Sequence, residues 1–346
     1  MLIPILKSNV AKFLSVVDVA FAFIVVAPLV VTFWSTTWKL YDLFIFPNDP
    51  VISGVISWLF GFCGQMVLMF YQDSIKKLFY FEKMNFLSIL ILKFHALFLG
   101  HTFVSFWRGV WSFVDATSSI GLGVVGLNII QNIIALMILR TFRNTLVPPF
   151  IVLTDKQEQY GMRTPLQKSK ANGNYAFLAD CLMAMFVEML VAFIWHDFWF
   201  IHNLFILPDD LFYSALTSLV FGYSLALICF VTQSSVSVAY EKFEDKRVFI
   251  YDVFIVICLL AAINVWRGIW TFVTYFAGDD EDINLLLNTL AWTLLMIVNC
   301  TFSLSAKDVL KDAEKSGRCG IQFQINYFSE MLHHKTDKTQ NISTQL

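Results

Sequence analysis

Two copies of one short motif carry the most distinctive side chains in this chain. Trp107-Arg108-Gly109-Val110-Trp111 and Trp266-Arg267-Gly268-Ile269-Trp270 each continue into Ser/Thr-Phe-Val. A guanidinium stays charged and offers five donors in a planar fork, so it suits carboxylates and other anions. Indole is an apolar plate with a single N–H, suited to the level where hydrocarbon meets water. One reading makes the motif an interfacial anchor, with glycine ending a helix. A second makes Arg108 and Arg267 a paired outer-face site for an anion or an acidic partner. A third pairs them with Asp49, Asp115 or the run Asp279, Asp280, Glu281 and Asp282, which would tie loops together.

The other chemically charged positions lie inside apolar stretches, where a charge is costly and marks function or a specific partner. They are Asp18, Lys93, Asp180, Glu188 and Asp252, together with His95 and His101. Asp18 and Lys93 lie at similar depth and are expected to pair. Glu188 falls near the middle of its stretch and has no acidic counterpart elsewhere. It is either a candidate for proton- or cation-coupled movement or a structural carboxylate with a partner. Asn128, Gln131 and Asn132 give another stretch a polar face, which reads as glue between helices.

Enzyme signatures are absent. There is no GxSxG, HExxH, Walker or GxGxxG pattern. Cys63, Cys181, Cys229, Cys258, Cys300 and Cys319 show no CxxC or Cys/His spacing, and five of them lie in apolar runs. His333 and His334 sit in a polar tail. The expectation is no catalytic set, no cofactor and no metal.

The elements that position these residues are set by hydropathy. Apolar residues make up 58% and charged residues 14%, with mean hydropathy +0.67; soluble domains hold about 25% charged residues. Much of the surface must therefore face lipid. A helix needs about 20 apolar residues to cross the hydrocarbon. Eight stretches approach or exceed that: 13–34, 51–71, 86–107, 119–139, 175–195, 211–231, 249–266 and 284–304. Lipid demands internal hydrogen bonding, so these are expected to be helices. Pro28 is expected to kink the first, which reads as an uncleaved signal anchor. The aromatic segments after Trp34 and Trp195 are expected to lie in the outer interface.

Charge distribution orients the bundle. Twenty of the 24 lysines and arginines fall in alternate segments: the N-terminus, the second and sixth connections, 140–174, and the tail after 305. The positive-inside rule then puts both termini in the cytoplasm. A net charge of −2 gives no reason to expect a nucleic-acid partner.

The halves repeat. Residues 33–49 match 194–210, with Trp34, Trp38, Leu43, Phe44 and Pro47 meeting Trp195, Trp199, Leu204, Phe205 and Pro208, all at an offset of 161. The WRG motifs match at 159. Asp180 takes the place of Asp18 only after a one-residue shift, and Lys93 aligns with Asp252. Four spans per copy make the repeat parallel. The expected fold is all-α, a polytopic transmembrane bundle of about eight spans in two tandem four-helix repeats. The expected units are 1–139, a basic linker at 140–174, 175–305, and a cytoplasmic tail at 306–346 that begins as a short helix.

The paired WRGxW motifs, each at the end of the third span of its half, resemble the Fuseless family of eight-pass membrane proteins. The blocks at 43–49 and 204–210 add to the resemblance, which covers roughly 13–305. The resemblance implies a plasma-membrane protein of neurons that supports presynaptic organisation and synaptic transmission. Its partners would be the lipid bilayer and presynaptic channels or scaffold proteins. The resemblance carries over no catalytic residues. The alternative is a secondary transporter or channel in which Glu188 couples the ion.

Overall fold

Long apolar runs in lipid satisfy their amides along their own helix, and the computed structural model follows that rule. It describes residues 13–79, 86–117, 121–155, 162, 164, 173–305, 312, 321–323, 325 and 327–328. The helices are α1 (Phe13–Phe44), α2 (Pro50–Phe79), α3 (Phe86–Thr117), α4 (Leu122–Ile138), α5 (Asn174–Phe205), α6 (Leu211–Lys242), α7 (Arg247–Ala277) and α8 (Glu281–Ile297). No strand occurs among the described residues. Six helices, all but α4 and α8, are long and apolar enough to cross a membrane.

The packing alternates between halves. α2 lies along α3, and α6 along α7. α8 packs on α1 across the two halves, while α5 packs on α4. The inner four helices α1, α3, α5 and α7 surround a common axis. Large apolar side chains such as Leu59, Phe60, Val220 and Phe221 stay exposed on the outer helices, as lipid contact requires.

The segments after Trp34 and Trp195 do not fold back on themselves. α1 and α5 continue as unbroken helix to Phe44 and Phe205. The glycines of the WRG motifs do not end helices either; α3 and α7 run on to Thr117 and Ala277. A Cβ on Gly109 would come 2.4 Å from Trp58 Cβ, and one on Gly268 2.6 Å from Leu219. The glycine is there because two helix backbones meet at that point.

The expected last span, 284–304, is cut short. α8 stops at Ile297, Asn299 takes φ 53°, and Thr301–Leu304 form a separate 3-10 turn. α4 ends the same way, with Arg140 at φ 55° followed by a turn at Phe142–Thr145. In both, an amide reaches back five residues, Thr141 to Leu136 and Cys300 to Leu295, each at 2.9 Å. That bond closes a left-handed helix end.

The one-residue shift between Asp18 and Asp180 has a structural cause. α1 contains a π-helical turn at Ala22–Val26, just before Pro28. A π-turn accommodates a single inserted residue, and here it also falls where the proline ring would crowd the preceding turn. Before the bulge the halves align at an offset of 162, and after it at 161.

Described parts of the 140–174 segment and of the tail are buried. Leu146, Val147, Phe150, Ile321, Phe323 and Ile325 are all buried in the core. The short helix expected at the start of the tail lies mostly outside the described residues, as do Cys319, His333 and His334.

Candidate functional site

Each inner helix carries two tryptophans four residues apart, so both project from one face a turn apart. Together they build two stacked rings. In the lower ring, Trp34, Trp107, Trp195 and Trp266 follow one another with centroids 5.4–5.8 Å apart and planes crossed at 71–90°. In the upper ring, Trp38, Trp111, Trp199 and Trp270 are spaced 5.5–5.9 Å and crossed at 79–86°. Edge-to-face contact of this kind is the favoured geometry for aromatic pairs. Eight of the chain's ten tryptophans are used here.

The lower ring is closed from beneath. The turns after α4 and α8 fold under it, and their carbonyls receive the indole N–H groups. Trp34 Nε1 donates to Leu304 O at 2.9 Å, Trp195 Nε1 to Thr145 O at 3.1 Å and Trp266 Nε1 to Pro148 O at 2.8 Å. Trp107 Nε1 makes no hydrogen bond of normal geometry. The gap between ring and turns is about 10 Å³, at the limit of what one water needs.

Over the lower ring the axis opens into a chamber of about 310 Å³, lined by the eight indoles, Asp42, Ser112 and Asp115. Its charged lining is acidic alone. Behind the wall the two WRG arginines are buried in matching clamps. Arg108 donates from Nε and Nη2 to Asp42 Oδ1 at 2.9 and 2.8 Å, from Nη1 to Ser57 Oγ at 2.6 Å and from Nη2 to Ser53 Oγ at 2.7 Å. Arg267 donates to Asn203 Oδ1 at 2.9 Å, Ser218 Oγ at 2.6 Å and Ser214 Oγ at 2.8 Å. Every partner is the repeat equivalent of the first, and only the carboxylate is replaced by an amide. The arginines thus fasten helix pairs internally and are not open to an outside anion. Asp42, not Asp49, Asp115 or the 279–282 run, meets Arg108. Asp115 instead meets His196 Nε2 at 2.9 Å, and His196 Nδ1 faces Asp197 Oδ1 at 3.1 Å.

The charges within the helices have partners other than those expected. Lys93 does not pair with Asp18. Its ammonium meets Asp155 and donates to Asn299 Oδ1 at 2.9 Å. Asp18 accepts from the Phe328 amide at 2.6 Å, and Asp180 accepts from the Thr164 hydroxyl. Glu188 is buried and accepts from Gln65 Nε2 at 3.3 Å. Asp252 is partly exposed and lies apart from the chamber.

A second set of residues straps the closed end. Asp155, from the segment after α4, accepts from Phe302 N at 2.8 Å beneath α8. Asp312, from the tail, accepts from Phe142 N and Arg143 N, both at 2.9 Å, beneath α4. Each half therefore caps the turn of the other. Burial pushes the Asp312 carboxyl above the usual range, opposed by those two amides.

The sequence reading singled out the WRG tryptophans but not the rings, nor Asp42, Asn203, Asp155 or Asp312. One available signal was Trp-x-x-x-Trp, present four times, once on each inner helix. No group of three or more His, Cys, Asp or Glu able to hold a metal occurs among the described residues.

Searches of curated proteins and of solved structures return no match. The sequence profile described as Fuseless matches residues 13–304, most of the chain. The residues that build the rings, the arginine clamps and the turns beneath them all fall within that match, and the chain belongs to the Fuseless family.

Proposed function

We propose that this is a non-enzymatic organiser of the presynaptic plasma membrane. In this reading it crosses the bilayer eight times as two parallel halves, with both termini cytoplasmic and the chamber facing out. It positions channels or scaffold proteins and so supports synaptic transmission. The observation that carries the reading is the sealed axis. The lower indole ring and the two backbone turns beneath it close the centre of the bundle, leaving too little room for a solute to pass. Family membership supports the synaptic role. The 17 residues each of α4 and α8 span about 26 Å, close to the hydrocarbon thickness of about 30 Å, which supports counting them as spans.

The test is a tagged copy expressed from its own promoter, compared with Glu188→Gln. Presynaptic enrichment, with normal synaptic output in the variant, is the expected result. A broad epithelial or organellar distribution would remove the reading. Deleting the 140–174 segment or the tail is a poor test, because Phe150 and Phe323 belong to the core.

A transporter is the second reading, and Glu188 favours it. The carboxylate is buried between α5 and α2, where it accepts from Gln65 and faces the Trp107 indole. At the equivalent places in the repeat stand Ala27 and Ala226, both fully buried. Loss of a solute flux in Glu188→Gln, with normal localisation, would move transport to first place.

A further inference from the structure

The geometry points to the tryptophan chamber as a binding site for a small organic ammonium ion.

The shape argues first. A volume of about 310 Å³ lies at the lower end of small-molecule pockets. The closed floor makes it a terminal cup and not a conduit. Neighbouring centroids 5.5–5.9 Å apart put the axis of the upper ring about 4 Å from each indole. That is well inside the ~6 Å over which a cation is attracted by an aromatic ring, and tryptophan is the strongest such ring.

The charge argues second. The only ionised groups in the lining are Asp42 and Asp115, whose side chains are 44% and 62% exposed. Their protein partners, Arg108 and His196, stand buried behind the wall. In both carboxylates those partners use Oδ1. Among the described residues the second oxygen of each has no partner, and it is left for a ligand. Lys39, near the rim, is itself tied to Asp279. An anion would meet two carboxylates, and a neutral apolar ligand would leave their second oxygens without a partner. A bare alkali ion would gain from the carboxylates but would leave most of the apolar wall unused. An ammonium group with a short carbon body satisfies both the indoles and the carboxylates.

The test uses the purified full chain in lipid nanodiscs, read by tryptophan emission, which the chamber dominates. Choline and ethanolamine are titrated against 3,3-dimethylbutan-1-ol, the neutral carbon isostere of choline, and against potassium chloride at matched ionic strength. A saturable change with at least one ammonium ion is expected, and none with the isostere or with potassium. Asp115→Asn is expected to weaken binding at least tenfold. Four results each overturn the proposal: no saturable response to either ammonium ion, an equal response to the isostere, an equal response to potassium, or unchanged affinity in Asp115→Asn. The wild-type comparison of choline with its isostere needs no variant, so the proposal stays testable whatever that substitution does to folding.

Discussion

The two arginine clamps form a natural pair of variants, and exchanging their single difference tests how the bundle is held. Arg108 and Arg267 are equally buried and bind equivalent serines, but Arg108 faces the carboxylate of Asp42 and Arg267 the amide of Asn203. Asp42→Asn keeps an oxygen acceptor in the same place and removes only its charge; Asn203→Asp adds that charge to the other clamp. The guanidinium is charged in both clamps, so the exchange alters only the charge of the acceptor, worth roughly 1 kcal/mol before screening. The Asp42 side chain is 44% exposed, and solvent screening reduces the figure to about 0.5–1 kcal/mol.

Asn203→Asp is therefore expected to stabilise and Asp42→Asn to destabilise, each by about 1–2 °C in melting temperature. Thermal unfolding in detergent, followed by tryptophan emission, measures both. The double variant should return near the wild type, since the clamps lie in separate helix pairs. A melting temperature that falls in both single variants, or moves in neither, would refute local charge pairing as the difference between the clamps.

Other consequences follow from the rings, the glycines and the straps. Trp266→Phe removes the donor to Pro148 O and orphans a buried carbonyl, a loss of about 1–3 kcal/mol beyond packing. Trp107→Phe removes no normal hydrogen bond, so it should lower the melting temperature less. Gly109→Ala drives a methyl against the Trp58 backbone and should cost about 1–3 kcal/mol. Gly268→Ala, which meets chiefly the Leu219 side chain, should cost less, and melting temperature and folded yield measure the difference. Asp312→Ala leaves the Phe142 and Arg143 amides without an acceptor, and limited proteolysis should cut the tail at least tenfold faster.

The matching blocks are legible in the sequence because equivalent side chains stand at constant offsets. The one-residue slip between Asp18 and Asp180 was legible too, but its cause was not. A π-turn shows in sequence only as an insertion, and the place along α1 where it is absorbed depends on packing around Pro28. Indole favours the interfacial level, but that is a preference of single side chains. What the sequence does not state is that four helices present their i, i+4 pairs to the same axis. Once that is known, the rings follow from spacing alone. Depth, the only coordinate hydropathy supplies, points Lys93 at Asp18. The actual partner, Asp155, comes from a segment too polar to read as part of the core. It is buried because its carboxylate satisfies the amide of the turn beneath α8.

Duplication explains which features belong to the fold and which do not. Packing needs are the same in both halves, so the Trp-x-x-x-Trp pairs, the arginine–serine clamps, the close-approach glycines and the left-handed helix ends recur in each. The carboxylates of the chamber do not. Asp42 and Asp115 belong to the first half, and their equivalents are Asn203 and Thr274. Packing alone gives no reason for that imbalance, because Asn203 closes the same clamp with the same geometry. A ligand does give one. An ammonium ion with a carbon body has two unlike ends, and a chamber with fourfold aromatic walls but charge on one side holds it in a single orientation. The nitrogen would lie toward α1 and α3, where the free carboxylate oxygens are. The carbon body would lie toward α5 and α7, where the wall is indole.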